Sequence, residues 1–158
     1  MYFIDTHSHL FLPEFDNDRD EVIERALKNN VNKIFLPNVD AKTISLLINL
    51  SEKYPNHCYP MMGLHPTSVD ENFEVQLDII EDWLGKYKFC AVGEIGIDLY
   101  WDKTTLEIQK IAFKKQIQWS KQLGLAINIH CRDAFDEVFE VLESEFDENL
   151  YGIFHCFT

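Results

Sequence analysis

Residues 4–10 read IDTHSHL, and His7 and His9 flank a single serine directly behind a short apolar run. Side chains alternate across an extended chain, so two imidazoles at i and i+2 share a side and can grip one ion. By itself this spacing is a weak signal, because paired histidines also fall in turns and in hydrogen-bonded cores. Three further stretches carry the same kind of chemistry: AVGEIGID sets Glu94 between glycines, LAINIH closes on His130, and GIFHCF holds His155. The glycines let the backbone bend at Glu94 and an ion approach closely. Four imidazoles, His7, His9, His130 and His155, with one carboxylate, Glu94, compose a ligand set for hard to borderline divalent ions. Glu94 is then the bridging, catalytic carboxylate that holds two ions at a fixed separation. Ions about 3.5–4 Å apart activate a water and stabilise the attacking and leaving oxygens of a displacement at phosphorus or an acyl carbon.

Other residues stand where a substrate would lie. His65 in GLHP is expected at the end of a strand, where it can hydrogen-bond a leaving group or a phosphate oxygen. Arg132, two positions past His130, can make a bidentate phosphate contact, with a surface salt bridge to Asp133 or Asp136 as the alternative. Asp98 in EIGID is expected to orient a ligand from behind or to anchor the loop after Glu94. Tyr100 and Trp101 follow it, suited to stacking on a base or to packing as a lid.

These side chains need elements to carry them. β-rich runs at Tyr2–Thr6 and Lys33–Leu36, and within HCYPMMGLHP, FCAVGEIGID, LAINIHCRD and YGIFHCF, predict six strands. Between them lie amphipathic segments of helical length. The first, DRDEVIERALKNN, puts Val22, Ile23, Ala26 and Leu27 on one face behind an acidic start. The others run over about 43–53, 72–85, 104–123 and 133–146, the second of these striped by Phe73, Leu77, Ile80 and Leu84. Alternating strands and helices read as βα units of a parallel sheet, either doubly wound or a barrel. No GxGxxG or GxxxxGK[ST] loop is present, which removes the usual nucleotide-binding mark of the first. Reactive residues gathered at strand ends favour the second. The expected fold is α/β, a (β/α)8 TIM-type barrel of which the chain supplies about six βα units, with residues 1–158 forming one incomplete domain.

Composition narrows the function classes. The chain has 158 residues, 46% hydrophobic and 26% charged, which suits a globular protein. A formal charge of −13 leaves no broad basic field to coat duplex DNA, so any nucleic-acid contact must be local. An acidic cleft can still gather divalent cations. No apolar stretch reaches the roughly 18–20 residues needed to span a bilayer, and no signal peptide opens the chain, so a cytoplasmic location without membrane contact is expected. The four cysteines form no CxxC pair and are expected to be reduced and buried.

Taken in order, DTHSHL, GLHP, VGEIGIDLYW, IHCRDA and FHCF resemble the TatD family of metal-dependent deoxyribonucleases, which are amidohydrolase-like barrels. The resemblance implies a TIM-like barrel with two divalent ions, magnesium or manganese with zinc as a further candidate. It implies that His7 and His9 hold one ion, that Glu94 bridges, and that His130 and His155 hold the other. The activity implied is hydrolysis of DNA phosphodiesters at ends or in single strands, of the 3′ to 5′ exonuclease type. Two alternatives stay open: an ester or amide hydrolase on the same ligands, such as an aminoacyl-tRNA deacylase, and a truncated, inactive metal-binding form.

The chain departs from the family in length, since a (β/α)8 barrel takes about 250 residues. The family's aspartate at the end of strand eight, which would complete the first ion's shell and accept a proton, has no counterpart. We expect a fragment of a longer product, with strands one and six as open edges through which copies could self-associate.

Overall fold

A computed structural model describes residues 1–156, so Phe157, which closes the FHCF motif, and Thr158 lie outside the described residues. Six strands alternate with five helices: β1 (Phe3–Asp5), α1 (Arg19–Lys28), β2 (Val31–Pro37), α2 (Ile44–Lys53), β3 (Cys58–Met61), α3 (Phe73–Lys86), β4 (Ala91–Asp98), α4 (Leu106–Leu123), β5 (Ala126–Arg132), α5 (Phe135–Glu145) and β6 (Gly152–Phe154). Every strand pairing is parallel, in the orders β1-β2-β3 and β4-β5-β6. Hydrogen bonds from Met62 N to the Ala91 carbonyl and from Gly93 N to the Met62 carbonyl join the two sets into one arc. This is part of a barrel wall, six parallel strands with five intervening helices among the described residues, as the alternation of patterns predicts.

The helices cover the arc through the apolar faces read from their periodicity. Phe73, Leu77, Ile80 and Leu84 of α3 are all buried, as are Ile23 of α1 and Val138 and Val141 of α5. Acidic residues stand in the first turn of α1, where they complement the helix dipole. The central strand, β4, is buried along its whole length.

Three expectations need correction. Glu94 lies in the middle of β4 rather than at its end, where the β4–β5 register shifts between Val92 and Ile95. An irregularity of this kind re-aims a side chain, so strand phase alone does not place the carboxylate. Second, His65 is not at the end of β3, which stops at Met61, but four positions on, where it opens the short turn Pro66–Ser68; His7 and His9 do follow β1, and Ser8 N donates to the Phe35 carbonyl of β2, which keeps that segment alongside the sheet. Third, the cysteines are free, but only Cys58 is buried; Cys131 in β5 is half-buried, and Cys90 just before β4 and Cys156 after β6 are exposed.

Gly96 has φ +144°, and a Cβ there would overlap the His130 carbonyl, so β4 and β5 approach at a distance only glycine permits. At the two ends of the arc, β1 pairs only with β2 and β6 only with β5 among the described residues. Tyr2, Phe3, Ile4 and Ile153 are exposed there. Among the described residues no helix is long and apolar enough to cross a membrane.

Candidate metal centre

Glu94 is buried, with 1% of its surface exposed, and four histidines surround its carboxylate. Oε2 lies 3.0 Å from His7 Nε2 and 3.4 Å from His9 Nε2, and those two ring nitrogens are 3.2 Å apart. Oε1 lies 2.9 Å from His130 Nδ1 and 3.5 Å from His65 Nε2, again with the two nitrogens 3.2 Å apart. One carboxylate thus faces one imidazole pair with each oxygen. Burial disfavours the charged form of Glu94, but the hydrogen bonds from His130, His65, His7 and His9 outweigh it and hold its pKa well below the usual carboxylate range.

Each side chain is held by its own element. Arg19 of α1 donates from Nε to the Leu10 carbonyl at 2.6 Å and from Nη2 to the Leu12 carbonyl at 2.8 Å, which fastens the loop that follows His9. The Glu94 backbone N donates to the Asn38 carbonyl at 3.3 Å, just past β2. Asn38 is itself fully buried and donates from Nδ2 to the Gly63 and Asp40 carbonyls. His130 Nε2 lies 2.9 Å from Asp98 Oδ2. Asp98 therefore takes the outer N–H and leaves Nδ1 turned toward Glu94, the arrangement that orients a ligating imidazole. Burial works against charge on His130, yet Glu94 and Asp98 together raise its pKa above the ordinary histidine value.

His65 differs from the other three. Thr67 fixes its ring from behind, with the backbone N 3.1 Å and Oγ1 2.7 Å from His65 Nδ1, and Nε2 faces Glu94 at 3.5 Å. That nitrogen stands where it can ligate an ion or contact a substrate oxygen. His155, read from the sequence as the companion of His130, instead stacks on His7 with ring centroids 3.4 Å apart. Burial and the neighbouring His7 both lower its pKa. Arg132 makes no salt bridge with Asp133 or Asp136; its guanidinium lies over the Tyr100 ring, 3.6 Å from the centroid.

Ligand atoms of His7, His9 and Glu94, and likewise of His65, Glu94 and His130, lie within 4.8 Å of one another. Imidazole nitrogens and carboxylate oxygens at this spacing suit a divalent ion, so the residues fit a divalent metal. Among the described residues the buried Nδ1 atoms of His7 and His9 have no hydrogen-bond partner, whereas Asp98 supports the outer nitrogen of His130.

Two positioning residues escape a search for ligands. Gln116 Oε1 accepts the Leu64 backbone N–H at 2.7 Å, just before His65, and Gln109 pairs in the same way with Asp98. Both are buried on α4 with Ala112, Phe113 and Ile117. Two glutamines seven apart on an apolar stripe were the signal available in the sequence.

Comparison with known proteins places this geometry. A family model described as TatD related DNase matches residues 4–158. An uncharacterized metal-dependent hydrolase, YabD of Bacillus subtilis, is 39% identical over 98% of this chain and 60% of its own length. The 3′-5′ ssDNA/RNA exonuclease TatD of Salmonella typhimurium is 30% identical over 92% of this chain and 55% of its own. The crystal structure of YjjV, a TatD homologue from Escherichia coli, superposes with a TM-score of 0.90 at 32% identity, covering 99% of this chain and 60% of that one. The chain thus spans about 60% of the length of such relatives. With a six-stranded parallel arc, a carboxylate between two imidazole pairs and a family match from Ile4 onward, the chain belongs to the TatD family.

Proposed function

We propose that this chain carries most of the active site of a divalent-metal-dependent hydrolase that cleaves DNA phosphodiesters at ends or in single strands, as a 3′ to 5′ exonuclease. The observation that carries the reading is the Glu94 carboxylate, each oxygen of which faces one pair of imidazole nitrogens. When bound, two divalent ions, magnesium or manganese, supply Lewis acidity and lower the pKa of an attacking water. Glu94 fixes their separation. His7 and His9 would hold one ion, and His130, oriented by Asp98, would hold the other together with His155, whose ring stacks on His7.

The remaining residues act on the substrate. His65 Nε2 faces the same carboxylate at 3.5 Å, a position suited to a hydrogen bond with a phosphate or leaving-group oxygen. Arg132 adds a planar guanidinium at the rim, matched to two phosphate oxygens. Residues 1–158 form one incomplete barrel domain in this reading, working in the cytoplasm on nucleic-acid ends. The nuclease named TatD in Salmonella typhimurium supports the choice of substrate.

The test is incubation with single-stranded DNA and Mg²⁺ or Mn²⁺. Release of mononucleotides from the 3′ end, lost in Glu94→Gln, supports the reading; equal activity in Glu94→Gln contradicts it. Turnover of carboxylate esters without DNA cleavage assigns the same ligands to acyl chemistry instead.

A further inference from the structure

Tyr100 and Trp101 leave β4 directly after the Asp98 that orients His130, and they are 52% and 72% exposed. Large aromatics normally bury most of their surface, and among the described residues nothing buries these two. Tyr100 stands edge-on to Trp101, with centroids 4.8 Å apart and an angle of 89°. The Arg132 guanidinium caps the Tyr100 face and lies 5.7 Å from the Trp101 centroid. Arg19 and Arg25 are both spent on ion pairs, whereas Arg132 makes none among the described residues, although the chain has 27 acidic side chains. Aromatic rings therefore hold this cation in place, and its N–H donors stay open.

Trp101 also forms one wall of a cleft of about 440 Å³ between the loop after β3 and the loop after β4. Asp98 and Thr67 line it, so it adjoins the residues that fix His130 and His65. Asp70 and Asp102 line it as well, each with one carboxylate oxygen held by its own loop, at Asn72 N and Thr104 N. Carboxylates repel a phosphate but accept hydrogen bonds from the amino group of a base.

We propose that Trp101 is the stacking platform for one unpaired base whose phosphate Arg132 holds, and that Asp70 and Asp102 favour amino-bearing bases over thymine. The proposal rests on the phosphodiesterase reading above and extends it to how the substrate is chosen. A base can reach Trp101 only when it is out of a duplex, so the platform selects single strands or frayed ends. Stacking on an aromatic side chain corresponds to about 5- to 150-fold in affinity per base.

The test is binding, separate from turnover. The full chain in magnesium buffer is titrated with dCMP, dTMP and deoxyribose 5-phosphate by calorimetry, with tryptophan fluorescence followed in parallel. The expected result is dCMP at least fivefold tighter than the base-free sugar phosphate and tighter than dTMP. Trp101→Ala removes that gain, Trp101→Phe keeps most of it, and Arg132→Ala weakens all three ligands alike. Equal binding of dCMP and deoxyribose 5-phosphate, or an unchanged gain in Trp101→Ala, overturns the platform. Equal dCMP and dTMP overturns the role of the two aspartates. Base-dependent binding with no DNA cleavage would fault the nuclease reading and leave the platform standing; cleavage without base-dependent binding does the reverse.

Discussion

The Gln109 side chain makes a two-bond ring with the Asp98 backbone: Oε1 accepts the Asp98 N–H at 2.8 Å, and Nε2 donates to the Asp98 carbonyl at 3.0 Å. Both residues are 2% exposed. A helix thereby sets the strand end whose carboxylate orients His130. Gln109→Met keeps the length but leaves two buried backbone groups bare, each worth about 1–3 kcal/mol. The expected outcome is a lower urea midpoint together with weaker divalent-ion binding. Gln116→Met, two turns along α4, should act additively with it, as distant sites do.

Much of this fold follows from local pattern, and the rest depends on contacts that local pattern does not contain. The α3 stripe of Phe73, Leu77, Ile80 and Leu84 buries as its spacing requires. His7 and His9, two apart just past β1, meet one Glu94 oxygen, and His130 on β5 meets the other. Glu94 is different, because its aim depends on a register shift stabilised by Asn38, 56 positions earlier in the chain. The aim of His65 was equally hidden, since it depends on the turn in which Thr67 N and Oγ1 meet its Nδ1. The stacking of His155 on His7 joins two ends of the arc that no local periodicity relates.

Acid should unfold the α4–α5 contact through Glu145. Its carboxylate lies 2.8 Å from Lys114 Nζ and 3.4 Å from Lys121 Nζ. Burial raises its pKa, but hydrogen bonds from Lys114, Gln118 and Lys121 outweigh that and lower it. A depressed folded-state pKa stabilises the fold above the ordinary carboxylate range, and the contribution is lost as pH falls through the folded value. Denaturant midpoints measured from pH 7 downward should fall less steeply in Glu145→Gln than in wild type; parallel curves would remove Glu145 from the account.

The two ends of the arc should associate. Phe3 and Ile4 on β1 and Ile153 on β6 are exposed, and among the described residues each of these strands has a neighbour on one side alone. Such edges template pairing with another chain, and inward-pointing charges block it. Sedimentation should show mass rising with concentration, and Ile4→Lys combined with Ile153→Lys should return the protein toward monomer.

Glu94 as the shared organiser of two ions is the central claim, and calorimetric titration with Mn²⁺ tests it most directly. The account predicts two ions per wild-type chain. Glu94→Gln should lose both or weaken both by at least tenfold, because each carboxylate oxygen faces its own imidazole pair. Two ions bound with the same affinities in Glu94→Gln, or none in the wild-type chain, would contradict it.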